Sequence, residues 1–320
     1  MKVILIRLSS AGDILAAHKT VKALKDAGCE VHMAVKAQFA DLAGQLGADK
    51  IFRLQKGGLG ALIKELHEIK YGAVIDIQNN PKSGAIASAL KADIKKTYSK
   101  DIIARRVFVL FKLYFGKNTP VARRYLNALK GVIPDKYLNG AFLAPRVKKK
   151  DKIKVLIHTG ARWPLKRWPY YGSLVKLLAM DKKISSITIT GVKDEVAKND
   201  PILYIKGGKI KNLIGKTSLV QMVRETGKTD LFIGNDTVAA HAAAMNGIPA
   251  FIFLGPTVSE FGFITRPVFS IFQRSLACRP CSLHGGNKCP IGTFECMKKI
   301  TAEGISAKIS AFIRGKNGGN

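Results

Sequence analysis

Acidic side chains are scarce in this chain. Twenty-two Asp and Glu stand against 53 Lys and Arg among 320 residues, a formal net charge of +31. A balance this basic points to anionic partners, either nucleic acid, an anionic membrane surface or an acidic substrate. A Lys-rich surface that keeps the protein soluble is the plainer alternative. The basic residues are spread along the chain rather than gathered in a tail, and no helix-turn-helix, zinc-finger or RNA-recognition signature is present, so no specific nucleic acid is expected. Long apolar runs are also missing. Nothing approaches the roughly 20 residues of a membrane-spanning helix. The apolar run 3–6 is ended by Arg7 and is too short for a signal peptide, so a cytoplasmic protein is expected. There is no internal repeat and no low-complexity tract beyond residues 315–320. Cysteine is nearly absent outside one cluster. Cys29 stands alone, and Cys278, Cys281, Cys289 and Cys296 follow a C-x2-C-x7-C-x6-C spacing. In a cytosolic protein such a cluster points to metal or local packing before a disulfide. Four thiolates suffice for one tetrahedral structural zinc, although the second half departs from the common paired C-x2-C pattern; reduced packing thiols are the alternative.

What is present is an alternation. Apolar strand patterns at 2–8, 31–35, 51–54, 73–77 and 94–98 interleave with helical patterns at 13–27, 39–46, 59–69 and 83–90. The alternation pauses at 134–152, a polar stretch with two prolines and three consecutive lysines that reads as a linker. It then restarts, with strands at 153–158, 184–190, 202–205, 231–234 and 250–254 and helices at 170–180, 218–225, 238–246 and 302–313. This predicts an α/β protein with two domains, each built on a parallel sheet covered on both faces, with the sheets facing across a cleft. The domain boundaries fall at 1–148 and 152–320, and the C-terminal helix, about 301–314, is a candidate to pack back on the first domain. Residues 102–115 break the pattern. Arg105 and Arg106 precede an apolar and aromatic stretch interrupted only by Lys112. It reads as a partly buried helix pair, or as a basic, aromatic-rich surface that meets anionic lipid.

Three loops at carboxyl ends of strands carry the candidate chemistry, because open α/β sheets place their ligands there. The first is Arg7-Leu8-Ser9-Ser10-Ala11-Gly12-Asp13. Its small residues let a substrate approach the backbone, and it lacks the G-x-G-x-x-G dinucleotide fingerprint. Asp13 reads either as a helix N-cap or as a carboxylate able to take a proton from an acceptor hydroxyl. The second runs from His158 through Thr159 and Gly160 to Pro169 and holds both tryptophans of the chain, Trp163 and Trp168. Backbone N–H groups at such a helix start favour phosphate, and Lys166 and Arg167 add positive charge where a diphosphate would leave. The third is Gly234-Asn235-Asp236-Thr237-Val238, with His241 one turn on. Asp236 and Thr237 read as caps, or as a carboxylate for sugar hydroxyls beside phosphate-binding N–H groups; His241 alone reads as structural. Residues 254–257, Leu-Gly-Pro-Thr, form a further loop on the same sheet edge.

In this order RLSSAGD (7–13), GARWPLKRWP (160–169), GKTSL (215–219), GNDT with His241, and LGPT (254–257) resemble the ADP-heptose:lipopolysaccharide heptosyltransferases of glycosyltransferase family 9. The segment CRPC…CPIG…C is similar to the C-terminal end of the heptosyltransferase II branch. The resemblance spans nearly the whole chain. It implies a GT-B fold of two Rossmann-like domains, the first for the acceptor and the second for the nucleotide sugar, and inversion without a catalytic metal. It implies that Asp13 is the catalytic base and that Ser9, Ser10 and Gly12 form the acceptor-side loop. Lys166 would hold the donor phosphate, Asp236 would lie near the donor sugar and Thr237 where the backbone meets the diphosphate; Thr159, Gly160 and His241 complete the donor side. The implied partners are ADP-L-glycero-D-manno-heptose, a lipid A-linked acidic sugar and the anionic inner face of the cytoplasmic membrane, where the protein would sit peripherally. The family motif carries glycine after Asp-Thr where this chain has Val238, whose branched side chain narrows the backbone geometry. A GT-B transferase of another nucleotide sugar, or a nucleotide-sugar 2-epimerase, is the alternative.

Overall fold

A computed structural model describes residues 1–116, 119–139, 150–196, 198, 200–265 and 269–315. The chain divides into two compact units, Met1–Asp101 with Thr119–Leu143, and Ile102–Asn118 with Ala144–Asn320. The linker expected at 134–152 lies mostly outside the described residues, as does the tail beyond 315. Residues 102–118, assigned by sequence to the first domain, group with the second unit.

The first unit holds β1 (Lys2–Ile6), β2 (Glu30–Lys36), β3 (Lys50–Leu54), β4 (Tyr71–Asp76) and β5 (Ala92–Thr97). All pair in parallel, in the order β3-β2-β1-β4-β5. Central β1 is apolar on both faces, with Val3, Ile4, Leu5 and Ile6 fully buried; a strand covered by helices on both sides has no solvent face to alternate toward. The edge strand β5 carries Lys95 and Lys96 outward, which protects the open edge from pairing.

The second unit holds β6 (Ile153–His158), β7 (Ile184–Thr190), β8 (Ile210–Asn212), β9 (Leu231–Asn235), β10 (Ala250–Phe253) and β11 (Phe269–Phe272), all parallel, in the order β11-β10-β9-β6-β7-β8. Its core is dense in Ile, Val and Leu and includes Trp168, whose ring stacks on Phe253 at 4.3 Å and donates its N–H to the Ile300 carbonyl at 2.8 Å.

Several elements differ from expectation. The single helix expected at 13–27 is two, Ala11–Ala16 and His18–Asp26. The Ala17 N–H is shared between the carbonyls of Asp13 and Ile14, which tightens the turn between them. The strand expected at 202–205 is a 3-10 turn, Pro201–Leu203, because Pro201 starts it and the Asp200 side chain accepts the Ile202 N–H. The sheet edge is supplied instead by the short β8, and β11 was not foreseen. The C-terminal helix Ala302–Ile313, a candidate to pack on the first domain, lies on the helix Tyr171–Met180 of the second unit. Ile305 and Ile309 enter that unit's core there, and Phe312 meets Phe251 edge-on at 5.4 Å. No helix among the described residues is long and apolar enough to cross a membrane.

Ile309 is fully buried at the seam of the C-terminal helix. Ile309→Ala is expected to destabilise the second unit by about 2–5 kcal/mol, read as a lowered denaturation midpoint in a urea titration.

Candidate active site

Each sheet reverses its strand order once, between β1 and β4 in the first unit and between β6 and β9 in the second. Loops leaving neighbouring strands in opposite directions open a crevice at that point. The predicted loops lie there, after β1, β6 and β9.

In the first unit Asp13 belongs to a buried polar network. Arg7, almost wholly buried, sets its guanidinium 2.6 Å from Asp13 Oδ2 and donates to the Ile77 carbonyl, also at 2.6 Å. The Ser10 hydroxyl donates to Asp13 Oδ2 at 2.8 Å, and the fully buried Tyr125 hydroxyl donates to Oδ1 at 3.2 Å. The helix cap is therefore Ser10, and Asp13 stands three residues inside, where its carboxylate also accepts the Ser10 N–H. Burial alone would push the Asp13 carboxyl up; the Arg7 guanidinium, with hydrogen bonds from Ser10, outweighs it and holds the group below its ordinary 3.8. The Asp13 side chain keeps 17% of its surface exposed. Ser9 is tied by its N–H to Gln78 Oε1, joining the loop after β1 to the loop after β4. That second loop is fixed by Asp76, which accepts from the N–H groups of Gln78 and Asn79 and from the Ser83 hydroxyl.

In the second unit the Lys166 ammonium lies 2.6 Å from Asp236 Oδ2 and also donates to the Asp236 carbonyl at 3.2 Å. Thr257, from the loop after β10, donates its hydroxyl to the same carboxylate oxygen at 3.0 Å. Burial would raise the Asp236 carboxyl, but Lys166, His241 and Thr257 bring it below the ordinary value. Thr237 caps the helix Val238–Met245; its own hydroxyl oxygen is buried with no hydrogen-bond partner among the described residues. Val238 is the first residue of that helix in ordinary helical geometry. Asn235, fully buried at the end of β9, accepts the backbone N–H of Trp168 and donates to the carbonyls of Thr159 and Gly160. One amide thus staples the loop after β6 to the loop after β9. Gly160 is closely covered: a Cβ there would stand 2.7 Å from Glu195 Oε2, which would have to move, and 3.3 Å from the Val192 nitrogen. Burial raises the Glu195 carboxyl, against the opposing pull of Arg167 and Arg162.

The remaining sequence candidates fall out differently. Trp168 is a core side chain, and His158 is buried against the Thr190 hydroxyl, its pKa lowered by burial to about 4. Thr159 is buried, its N–H bonded to the Thr190 carbonyl. His241 is buried edge-on to Phe269 and bears on the site through its charge near Asp236. Gly12 lies in the first turn of the helix Ala11–Ala16. Cys278, Cys281, Cys289 and Cys296 line one cavity with Leu165 and Phe294, all as free thiols. Among the described residues no three His, Cys, Asp or Glu side chains are gathered so as to hold a metal ion. The donor set suits zinc, and the four thiols share one cavity. Arg279, between two of them, is buried and donates to the carbonyls of Leu254, Gly255 and Thr257, pinning the loop that presents Thr257.

Reading the sequence missed Arg7, Gln78, Tyr125, Asn235 and Arg279. Arg7 and Asn235 had a signal, a polar group closing a buried apolar strand. Tyr125 had none, reaching Asp13 across 112 residues of chain.

The model of glycosyltransferase family 9 (heptosyltransferase) matches residues 59–262, more than half of the chain. The chain belongs to glycosyltransferase family 9. The match takes in the loops of Lys166 and Asp236 and leaves Asp13 and the four cysteines outside it. Lipooligosaccharide heptosyltransferase 2 of Campylobacter jejuni serotype O:6 is 25% identical over 232 residues, 71% of each chain. E. coli ADP-heptose lps heptosyltransferase II superposes with a TM-score of 0.70 at 17% identity, covering 99% of both chains. E. coli heptosyltransferase WaaC with ADP gives 0.67 at 18% identity, covering 97% of this chain and 99% of that one. The shared fold is GT-B, and the family 9 protein is a glycosyltransferase.

Because the folded Asp13 titrates below its unfolded value, its ion pair stabilises the protein above pH 3.8, and this contribution is lost as pH falls through the folded pKa. Asp13→Asn leaves Arg7 buried without its counter-charge. It is expected to cost about 3–5 kcal/mol at neutral pH and to flatten the acid limb of the stability profile, measured by urea unfolding between acid and neutral pH.

Proposed function

We propose that this family 9 enzyme is an inverting heptosyltransferase that moves a heptose from ADP-L-glycero-D-manno-heptose to the inner core of lipopolysaccharide. The observation that carries this reading is the Lys166–Asp236–Thr257 cluster at the strand-order reversal of the second sheet, beside the unpartnered Thr237 hydroxyl at a helix start. A diphosphate meets there one ammonium, one spare hydroxyl and the N-terminal N–H groups of the helix Val238–Met245. The names of the Campylobacter and E. coli relatives support the sugar and the glycan.

In the proposed reaction Asp13 removes the proton from an acceptor hydroxyl. The hydroxyl oxygen attacks the anomeric carbon on the face opposite the nucleotide. The bond from that carbon to the phosphate oxygen breaks, and ADP leaves with the electron pair. The added negative charge falls on the side of Lys166 and the helix N–H groups, which we propose serve without a catalytic metal. Asp236, turned toward Lys166 in this structure, would also accept from sugar hydroxyls. Arg7 and Tyr125 hold Asp13 ionised and aimed. The acceptor is proposed to be a lipid A-linked acidic sugar, with the +31 chain working peripherally at the anionic cytoplasmic face of the inner membrane.

The test is calorimetric titration with ADP, UDP and GDP, with Lys166→Ala alongside and folding checked by circular dichroism. Selective ADP binding, weakened about tenfold or more in the variant, supports the reading. Preference for UDP sinks the ADP-heptose assignment, and donor consumption without acceptor turns it toward an epimerase. Asp13→Asn is expected to lower kcat by about 100-fold or more while ADP affinity holds, read in a coupled ADP-release assay.

We also propose one structural zinc for the four cysteines. Elemental analysis of the purified chain decides it: one zinc per chain supports the site, whereas no metal together with freely alkylated thiols ends it.

A further inference from the structure

Six of the large apolar side chains exposed among the described residues, Ile102, Ile103, Leu110, Phe111, Leu113 and Phe115, fall within fourteen consecutive positions. Ile103 and Leu110 are 73% and 72% exposed, and in the helix Ile102–Phe111 only Ala104 is buried. Ile103, Arg106 and Leu110 recur at helical spacing on one outward stripe. Lys112, with φ +61, follows the helix in left-handed geometry, and beyond it Leu113 and Phe115 are exposed as well.

The segment is not a loose loop. Its other side is fastened to the second unit. Phe108 packs on Tyr114 at 5.0 Å and edge-on to Phe261 at 6.3 Å. The Tyr114 hydroxyl donates to the Glu260 carbonyl, and the Lys112 ammonium to the Pro280 carbonyl. The Arg105 guanidinium lies over the Phe263 ring at 5.3 Å. A folded protein that fixes one face of a short helix and leaves leucine, isoleucine and phenylalanine on the other has a use for that face.

We propose that residues 102–116 are the element by which this enzyme docks on an anionic lipid bilayer, lying in the interface with its apolar side chains among the acyl chains. The inference rests on the reading of a lipid-linked acceptor and deepens it by naming the surface. Charge complementarity selects the occupant. The segment contains Arg105, Arg106 and Lys112 and no acidic residue, in a chain of net charge +31. Two copies meeting through this face would bring like charges together, whereas an anionic headgroup layer attracts each of them. A helix of ten residues is about 15 Å long, too short to span a bilayer and suited to lying along its surface.

The experiment is co-sedimentation of the full chain with vesicles of phosphatidylcholine alone, or of phosphatidylcholine mixed with phosphatidylglycerol. The wild type is compared with Leu110→Asp/Phe111→Asp and with a control carrying the same change of charge at distant exposed sites, Met180→Asp/Tyr204→Asp. The wild type and the control are expected to partition onto the mixed vesicles to within about twofold of each other, and the 110/111 variant about tenfold less or worse. Equal partitioning of both variants overturns the proposal, since binding would then follow bulk charge alone. Gel filtration showing a dimer that the 110/111 variant dissolves, with vesicle binding unchanged, assigns the face to a second copy and also overturns it. The vesicles contain no sugar, so neither outcome depends on transfer. Transfer to a deacylated, water-soluble acceptor tests the reaction separately and is expected to survive in the 110/111 variant.

Discussion

A parallel sheet whose strand order reverses sends two neighbouring loops apart, and whatever those loops carry must be held by something other than sheet hydrogen bonds. In this enzyme ion pairs and buried amides hold them. Arg7, at the end of the first strand, binds the carboxylate of Asp13 and the carbonyl of Ile77 beyond the fourth strand, spanning the reversal in the first sheet. Asn235 does the corresponding work in the second, donating to two carbonyls of the loop after β6 and accepting an N–H from Trp168. These side chains lie almost entirely out of water, so each unmade bond would leave a buried polar group unsatisfied. The site geometry follows from that requirement.

The consequence for chemistry is a division of labour. In the first unit a carboxylate is kept ionised by a neighbouring cation. In the second, a carboxylate and an ammonium neutralise one another beside a helix start. In the proposed displacement the first would take up a proton and the second would offset the charge of a departing anion.

Much of this was legible in the chain. Buried parallel strands are continuous apolar runs, and the loops after β1, β6 and β9 announced themselves by small and charged residues directly after such runs. The periodic signal faded where length was short or local chemistry competed. Residues 202–205 are apolar enough for a strand, yet Asp200 and Pro201 commit the backbone to a turn. The four-residue β11 is too short to show a pattern. The site was readable in the residues that its loops themselves carry and unreadable in those that arrive from afar. Tyr125 is an ordinary tyrosine in a short helix until folding brings its hydroxyl to Asp13. The four cysteines were readable as a group by spacing alone, and spacing does not report whether sulfurs converge.

The Lys166 ammonium is paired with the Asp236 carboxylate. In the proposed reaction a diphosphate would compete for a cation that has a partner, and on departure it would leave that cation with a ready replacement. Entry would be weakened and exit eased by the same carboxylate. Such an exchange would suit the proposed transferase, which discards its nucleotide after every cycle: the ion pair would act as a built-in leaving partner and set a ceiling on how tightly product is retained.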